Sequence, residues 1–150
     1  MEPAEMPNVA VPVQDEREAD WAAEQAIKLY RFNQARIHLL NVQHLLPRHV
    51  SRFFSGADLA DFHRENGLLM LEPVIRKLEA AEVPHKVHVL TGHEAETIVR
   101  FAEEYACTRI VMESRPEGLL SVIGLGAISS QVSHLMRTRN MSIALGAVQV

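Results

Sequence analysis

The chain predicts an α/β fold, a Rossmann-like three-layer α/β/α sandwich around a five-stranded, mostly parallel sheet. Three observations point to it. Short apolar runs alternate with segments whose apolar residues recur at three- and four-residue spacings. Gly and Pro signals punctuate the changes of period. The order reads β-α-β-α-β-α-β-α-β, and parallel neighbours need crossovers, which right-handedness places on the two sheet faces.

Asn8 to Gln14 reads as the first strand, although Pro12 is awkward for a central ladder position. From Glu16 to Phe32, Ala19, Ala22, Ala23, Ala26, Ile27 and Tyr30 fall on one helical face. Ala35 to Gln43 holds the run Ile37 to Val42, a buried strand by length and composition, and a loop with Pro47 follows. Ala57 to Glu82 is helical with Leu71, Val74, Ile75 and Leu78 on one face, and Gly67 and Pro73 predict a kink or break near residues 67 to 72. Lys86 to Leu90 is the third strand, ended by Thr91-Gly92. Ala95, Ile98, Val99, Ala102 and Ala106 mark the next helix, and Thr108 to Met112 the fourth strand. A loop from Glu113 to Leu125 leads into a helix carrying Ile128, Val132, Leu135 and Met136, and Met141 to Val150 forms the last strand.

At 150 residues the chain has room for one domain, assigned to residues 8–150 behind a flexible N-terminus of residues 1–7. One cysteine, Cys107, excludes an intramolecular disulfide and any multi-cysteine metal centre, and fits a reducing compartment, so a cytoplasmic location is expected. A net charge of −4 offers little attraction to phosphate backbones, which disfavours nucleic acid as a partner. No run approaches ~18 uninterrupted apolar residues, so no membrane span is expected.

In an open sheet of this kind ligands sit beyond the carboxyl ends of the strands where winding reverses, here just after strands one and four. Those positions are Gln14 to Glu16 and Glu113 to Pro116. The element order, the segment Thr91 to Ile98 and the segment Ile110-Val111-Met112-Glu113-Ser114-Arg115 resemble the universal stress protein (UspA-like) family over residues 8 to 150. That family carries a strand ending in Val-Asp-Gly-Ser, later a Met-Gly-Ser/Thr-Arg/His-Gly turn, and after nine residues Gly-Ser before a helix. Members with the full pattern bind ATP or AMP. The resemblance implies sheet order 3-2-1-4-5 and a non-catalytic stress-response protein.

Laid on this chain, the family aspartate falls on Gln14, the three glycines on Glu113, Pro116 and Gly126, and the hydroxyl residue on Ala127. Only Gly126 matches, although the spacing is kept without a gap. Pro116 lacks an N–H and cannot adopt φ > 0, so one anion-binding donor is missing. Glu113 would set a carboxylate beside a polyphosphate, and two unit like charges at 4 Å repel by about 4 kcal/mol at an effective dielectric of 20. Ala127 donates no hydroxyl hydrogen bond, and Gln14 presents a neutral amide. Tight ATP binding in the family's manner is therefore disfavoured, and no cofactor is assigned.

The degenerate ligand cleft comprises Gln14, Val42, Arg115, Gly126, Ala127 and Ser129, with Val42 positioned to pack on a base and the helix N-terminus beyond Gly126 able to face an anion. AMP, ATP or a smaller anion is the alternative occupant. Gly124-Leu125-Gly126 follows a loop rather than a strand, which argues against a dinucleotide fingerprint. His85 and His88 are three apart on a strand and face opposite sides, so no metal site is assigned. With Lys86 they read as an edge strand kept polar. Cys107 reads as a buried structural thiol. No catalytic residue is assigned: no Gly-x-Ser-x-Gly or His-Glu-x-x-His occurs, and a weak ATPase would need Glu113 or Asp15 to hold a metal. Asp15, Glu16 and Glu18 suit the start of a helix. The last strand carries no charge, and in the resembling family it pairs with its twin, so a homodimer through residues 141–150 is expected.

Overall fold

The computed structural model describes residues 6–112 and 128–146. Five strands form one parallel sheet in the order β3-β2-β1-β4-β5: β1 Asn8–Pro12, β2 Arg36–Gln43, β3 His85–Thr91, β4 Cys107–Ile110 and β5 Ala144–Leu145. The helices are α1 Ala19–Asn33, entered through a 3-10 turn at Glu16–Glu18, α2 Arg48–Ser51, α3 Gly56–Ala80, α4 Glu94–Glu104 and α5 Ile128–Thr138. The expected architecture and strand order are those observed.

Strand periodicity divides the interior into two cores. Val9, Val11 and Val13 with Ile37 and Leu39 face α1 and α3, meeting Ala22, Ala26, Leu71, Val74 and Leu78. Ala10, Leu40 and Val42 point the other way, toward Ile98, Val99 and Ala102 of α4 and Val132 and Met136 of α5. Small residues on α1 let that helix lie close to the sheet. Each fully buried Leu, Ile or Val contributes roughly 1.5–3 kcal/mol.

Pro12 sits in the central strand, and the ladder explains why it is tolerated. The Val13 N–H donates to the Leu40 carbonyl of β2, and the Val111 N–H donates to the Ala10 carbonyl. Alternation then turns the imino side of Pro12 toward β4, beyond Ala10↔Ile110, the last pairing between β1 and β4. The missing donor falls where the two strands part.

Two expectations are corrected. The helix over residues 57 to 82 is one continuous element, α3, with Pro73 inside it and no break near residues 67 to 72. Pro73 deprives the Leu69 carbonyl of its helical partner, but Leu69 is exposed and water can take the place. Gly67 is a contact point rather than a breaker: a Cβ there would lie 2.5 Å from Cγ1 of Val89. The last strand, expected over 141–150, pairs with β4 only at Ala144–Leu145, while residues 147–150 lie outside the described ones. The loop after Pro47 also contains the short α2, which its sequence did not signal.

Candidate functional site

Beyond the carboxyl end of β1, the Gln14 carboxamide lies against β2. Its Nε2 donates to the Val42 carbonyl at 2.7 Å, and its Oε1 accepts from the Val42 N–H at 2.7 Å. The side chain thus extends the β1–β2 ladder by one rung where the main chains have parted. Next to it, the Asn41 Nδ2 donates to the Val13 carbonyl at 2.8 Å, and Gln43 Nε2 donates to Asn41 Oδ1 at 2.6 Å. This amide layer splints the end of β1 to β2. An aspartate at position 14 could accept from the Val42 N–H but could not donate to its carbonyl.

A cavity of about 360 Å³ opens over this layer, lined by Gln14, Val42, Phe62, His63, Asn66 and Glu94 among others. His63 is buried, with Nδ1 3.5 Å from Gln43 Oε1 and no hydrogen-bond partner on Nε2 among the described residues. A second cavity of about 870 Å³ lies between the start of α4 and α5, where His44, His93 and His134 stand with Glu94, Glu96 and Ser130. Among the described residues no group of His, Cys, Asp or Glu is arranged to hold a metal ion. Asp15 caps the 3-10 turn, accepting from the Arg17 N–H at 2.8 Å and pairing with its guanidinium at 2.8 Å, so its role at the helix start is as expected.

Of the residues assigned to the ligand cleft, Gln14 and Val42 do converge, but on each other. The Val42 side chain is buried in the α4 core, and both of its main-chain polar groups are engaged by Gln14. Ser129 is buried, and its neighbour Ser130 lines the larger cavity in its place. Glu113, Arg115, Pro116, Gly126 and Ala127 lie outside the described residues. In the position of the family aspartate, the Gln14 carboxamide is bonded to the Val42 main chain.

At the opposite end of the sheet lies a cluster that no local pattern signalled. His38 Nε2 is 3.1 Å from Asn8 Oδ1 and His38 Nδ1 is 3.0 Å from His88 Nε2, while Asn8 Nδ2 donates to the Tyr105 carbonyl at 3.0 Å. That carbonyl can only accept, which fixes the Asn8 amide and makes its oxygen the acceptor for His38. His38 then accepts from His88 through Nδ1, an arrangement that needs the His38 ring neutral. Burial first, then His88, Lys86 and Arg36, lowers the His38 pKa to about 4. Burial and Lys86 lower that of His88 as well. Phe101 and Tyr105 stack beside the pair with centroids 4.2 Å apart. The signal is nonlocal, because 50 residues separate the two rings. His85 turns elsewhere, with Nδ1 2.9 Å from the Val83 carbonyl, so His85 and His88 do not converge, as expected. Cys107 is buried, and burial pushes its thiol pKa up to about 11, far from a nucleophile's range. Among the described residues no helix is long and apolar enough to cross a membrane.

Comparison with known proteins supports the same architecture. A crystal structure of a universal stress family protein from Burkholderia pseudomallei superposes with a TM-score of 0.64 at 17% identity, covering 98% of this chain and 100% of that one. An Arabidopsis thaliana universal stress family protein with AMP bound gives 0.57 at 18% identity, covering 95% and 92%. The universal stress protein from Archaeoglobus fulgidus in complex with dAMP gives 0.54 at 18%, covering 96% and 98%. These likenesses establish the fold. No curated protein matches the sequence. The model of the universal stress protein family matches residues 6–138, and with that span the chain belongs to the universal stress protein family.

Proposed function

We propose that this protein is a non-catalytic universal stress protein that does not bind ATP tightly, acting in the cytoplasm as a homodimer joined through its C-terminal strand. The observation that carries the reading is the Gln14–Val42 pair: two 2.7 Å bonds hold against β2 the side chain that stands where the family has an aspartate, and that side chain is a neutral amide. A ligand group that displaced the carboxamide from Val42 would have to break both. Leaving a buried donor or acceptor unpaired costs about 1–3 kcal/mol each, so the loss is tenfold or more in affinity. Glu113 and Pro116 in the family's glycine positions support the same reading from sequence. The relatives crystallised with AMP and dAMP keep a smaller nucleotide as the competing occupant.

Titration calorimetry with ATP, AMP and inorganic phosphate, each with and without Mg²⁺, separates the two readings. No saturable heat with ATP is expected. A sub-micromolar Kd for ATP overturns the proposal, and binding of AMP or phosphate alone transfers the cleft to a smaller anion. In parallel, Gln14→Ala should lower the unfolding free energy in urea by ~1–3 kcal/mol, because it strands the Val42 N–H and carbonyl.

A further inference from the structure

The outer edge of β3 lies in a groove of about 880 Å³, walled by α3 on one side and α4 on the other. Parallel pairing shows which polar groups the groove exposes. The Gly92 N–H donates to the Gln43 carbonyl, so the main-chain groups of His88 and Leu90 also face β2. By the two-residue alternation, the N–H and carbonyl groups of Val87, Val89 and Thr91 face outward, and all three residues line the groove. They form an unpaired edge about 13 Å long at ~3.3 Å per residue.

The walls add a chemical preference. Arg64 stands on the α3 wall and Arg100 on the α4 wall. Neither guanidinium has an ion-pair partner among the described residues. Glu104 is the groove's carboxylate among the described residues, and Lys86 is exposed on the same strand. Leu68 and Phe101 supply apolar surface between the charges.

We propose that this edge is a docking site for an extended, carboxylate-bearing peptide segment of a partner protein, which joins the sheet as an added strand beside β3. Successive side chains of an extended strand point to opposite faces. Two adjacent acidic residues therefore send one carboxylate to Arg64 and the other to Arg100, while the peptide main chain pairs with Val87, Val89 and Thr91. A second copy of this chain suits the groove less well, because edge-to-edge pairing would bring Lys86, Arg64 and Arg100 toward their own images. The proposal does not depend on the state of the nucleotide cleft.

The test uses the full chain and a fluorescein-labelled peptide, acetyl-Val-Thr-Glu-Glu-Val-Thr-Val-amide, followed by fluorescence anisotropy. Saturable binding is expected, weakened about tenfold or more by Arg64→Glu or by Arg100→Glu, both surface changes that leave urea unfolding unaltered. Methylating alternate peptide nitrogens should abolish binding in one of the two phases of alternation and not in the other. Amide exchange should slow at Val87, Val89 and Thr91 and stay unchanged at His88 and Leu90. Absence of binding, equal binding by the same peptide with Lys-Lys in place of Glu-Glu, or indifference to both methylation phases overturns the proposal. So does concentration-dependent protection of the same three amides without peptide, which would assign the edge to self-association.

Discussion

His38 and Gln14 are polar side chains that the interior accepts because each finds partners more than 25 positions away in the chain. A buried polar group without such partners would cost about 1–3 kcal/mol. For His38 the bonding also sets a pH dependence. Its folded pKa of about 4 lies below the ordinary value near 6.5, so between those values the unfolded chain holds more protons than the folded one. Stability contributed by the neutral ring is complete above pH ~6.5 and is lost as the pH falls toward 4. The gap between the two values corresponds to at most ~3 kcal/mol. Urea unfolding followed from pH 7.5 to 4 should show this decline, and His38→Leu should flatten much of it. An unchanged slope in the variant would show that other groups, such as paired carboxylates, set the acid limb.

Among the elements, α3 shows how tertiary packing overrides local signals. Gly67 and Pro73 are weak helix residues, yet 25 residues run without a break because Leu71, Val74 and Leu78 bury against the sheet. Gly67 is there for contact with Val89 of β3. Gly67→Ala would gain up to ~1 kcal/mol of helix propensity, but its Cβ would lie 2.5 Å from a stiff, branched side chain, and overpacking costs ~1–3 kcal/mol. Net destabilisation is expected. A double-mutant cycle with Val89→Ala should return a favourable coupling of about 1 kcal/mol or more, measured by denaturant unfolding. The same contact holds one wall of the β3 groove at its distance from the strand.

For the whole molecule, the sheet's two edges differ in chemistry, and each proposed interaction draws on that difference. β3 carries His85, Lys86 and His88 and is flanked by Arg64 and Arg100. β5 and its approaches, Met141, Ile143 and Leu145, are uncharged, and all three pack on the α4–α5 core. Ala144 and Ser142 alternate outward. On the homodimer proposed above, sedimentation equilibrium should return twice the chain mass. Ala144→Arg, on an exposed position, should yield monomer without loss of unfolding free energy. A dimer that survives this change would have to use another surface.

Local order determined much of this protein. Alternating two- and 3.6-residue periods revealed the layers, the helix faces and the polar edge strand, since these patterns depend only on which side of an element meets water. The element order and the segments Thr91 to Ile98 and Ile110 to Arg115 carried the family likeness, and the spacing from Glu113 through Pro116 to Gly126 its register. Tertiary structure alone decided what Gln14 does, which ring His38 meets, why Pro12 is harmless and why α3 does not break. Each of those outcomes depends on strand register between segments far apart in the chain, and register is a property of the assembled sheet, set by packing on both faces together.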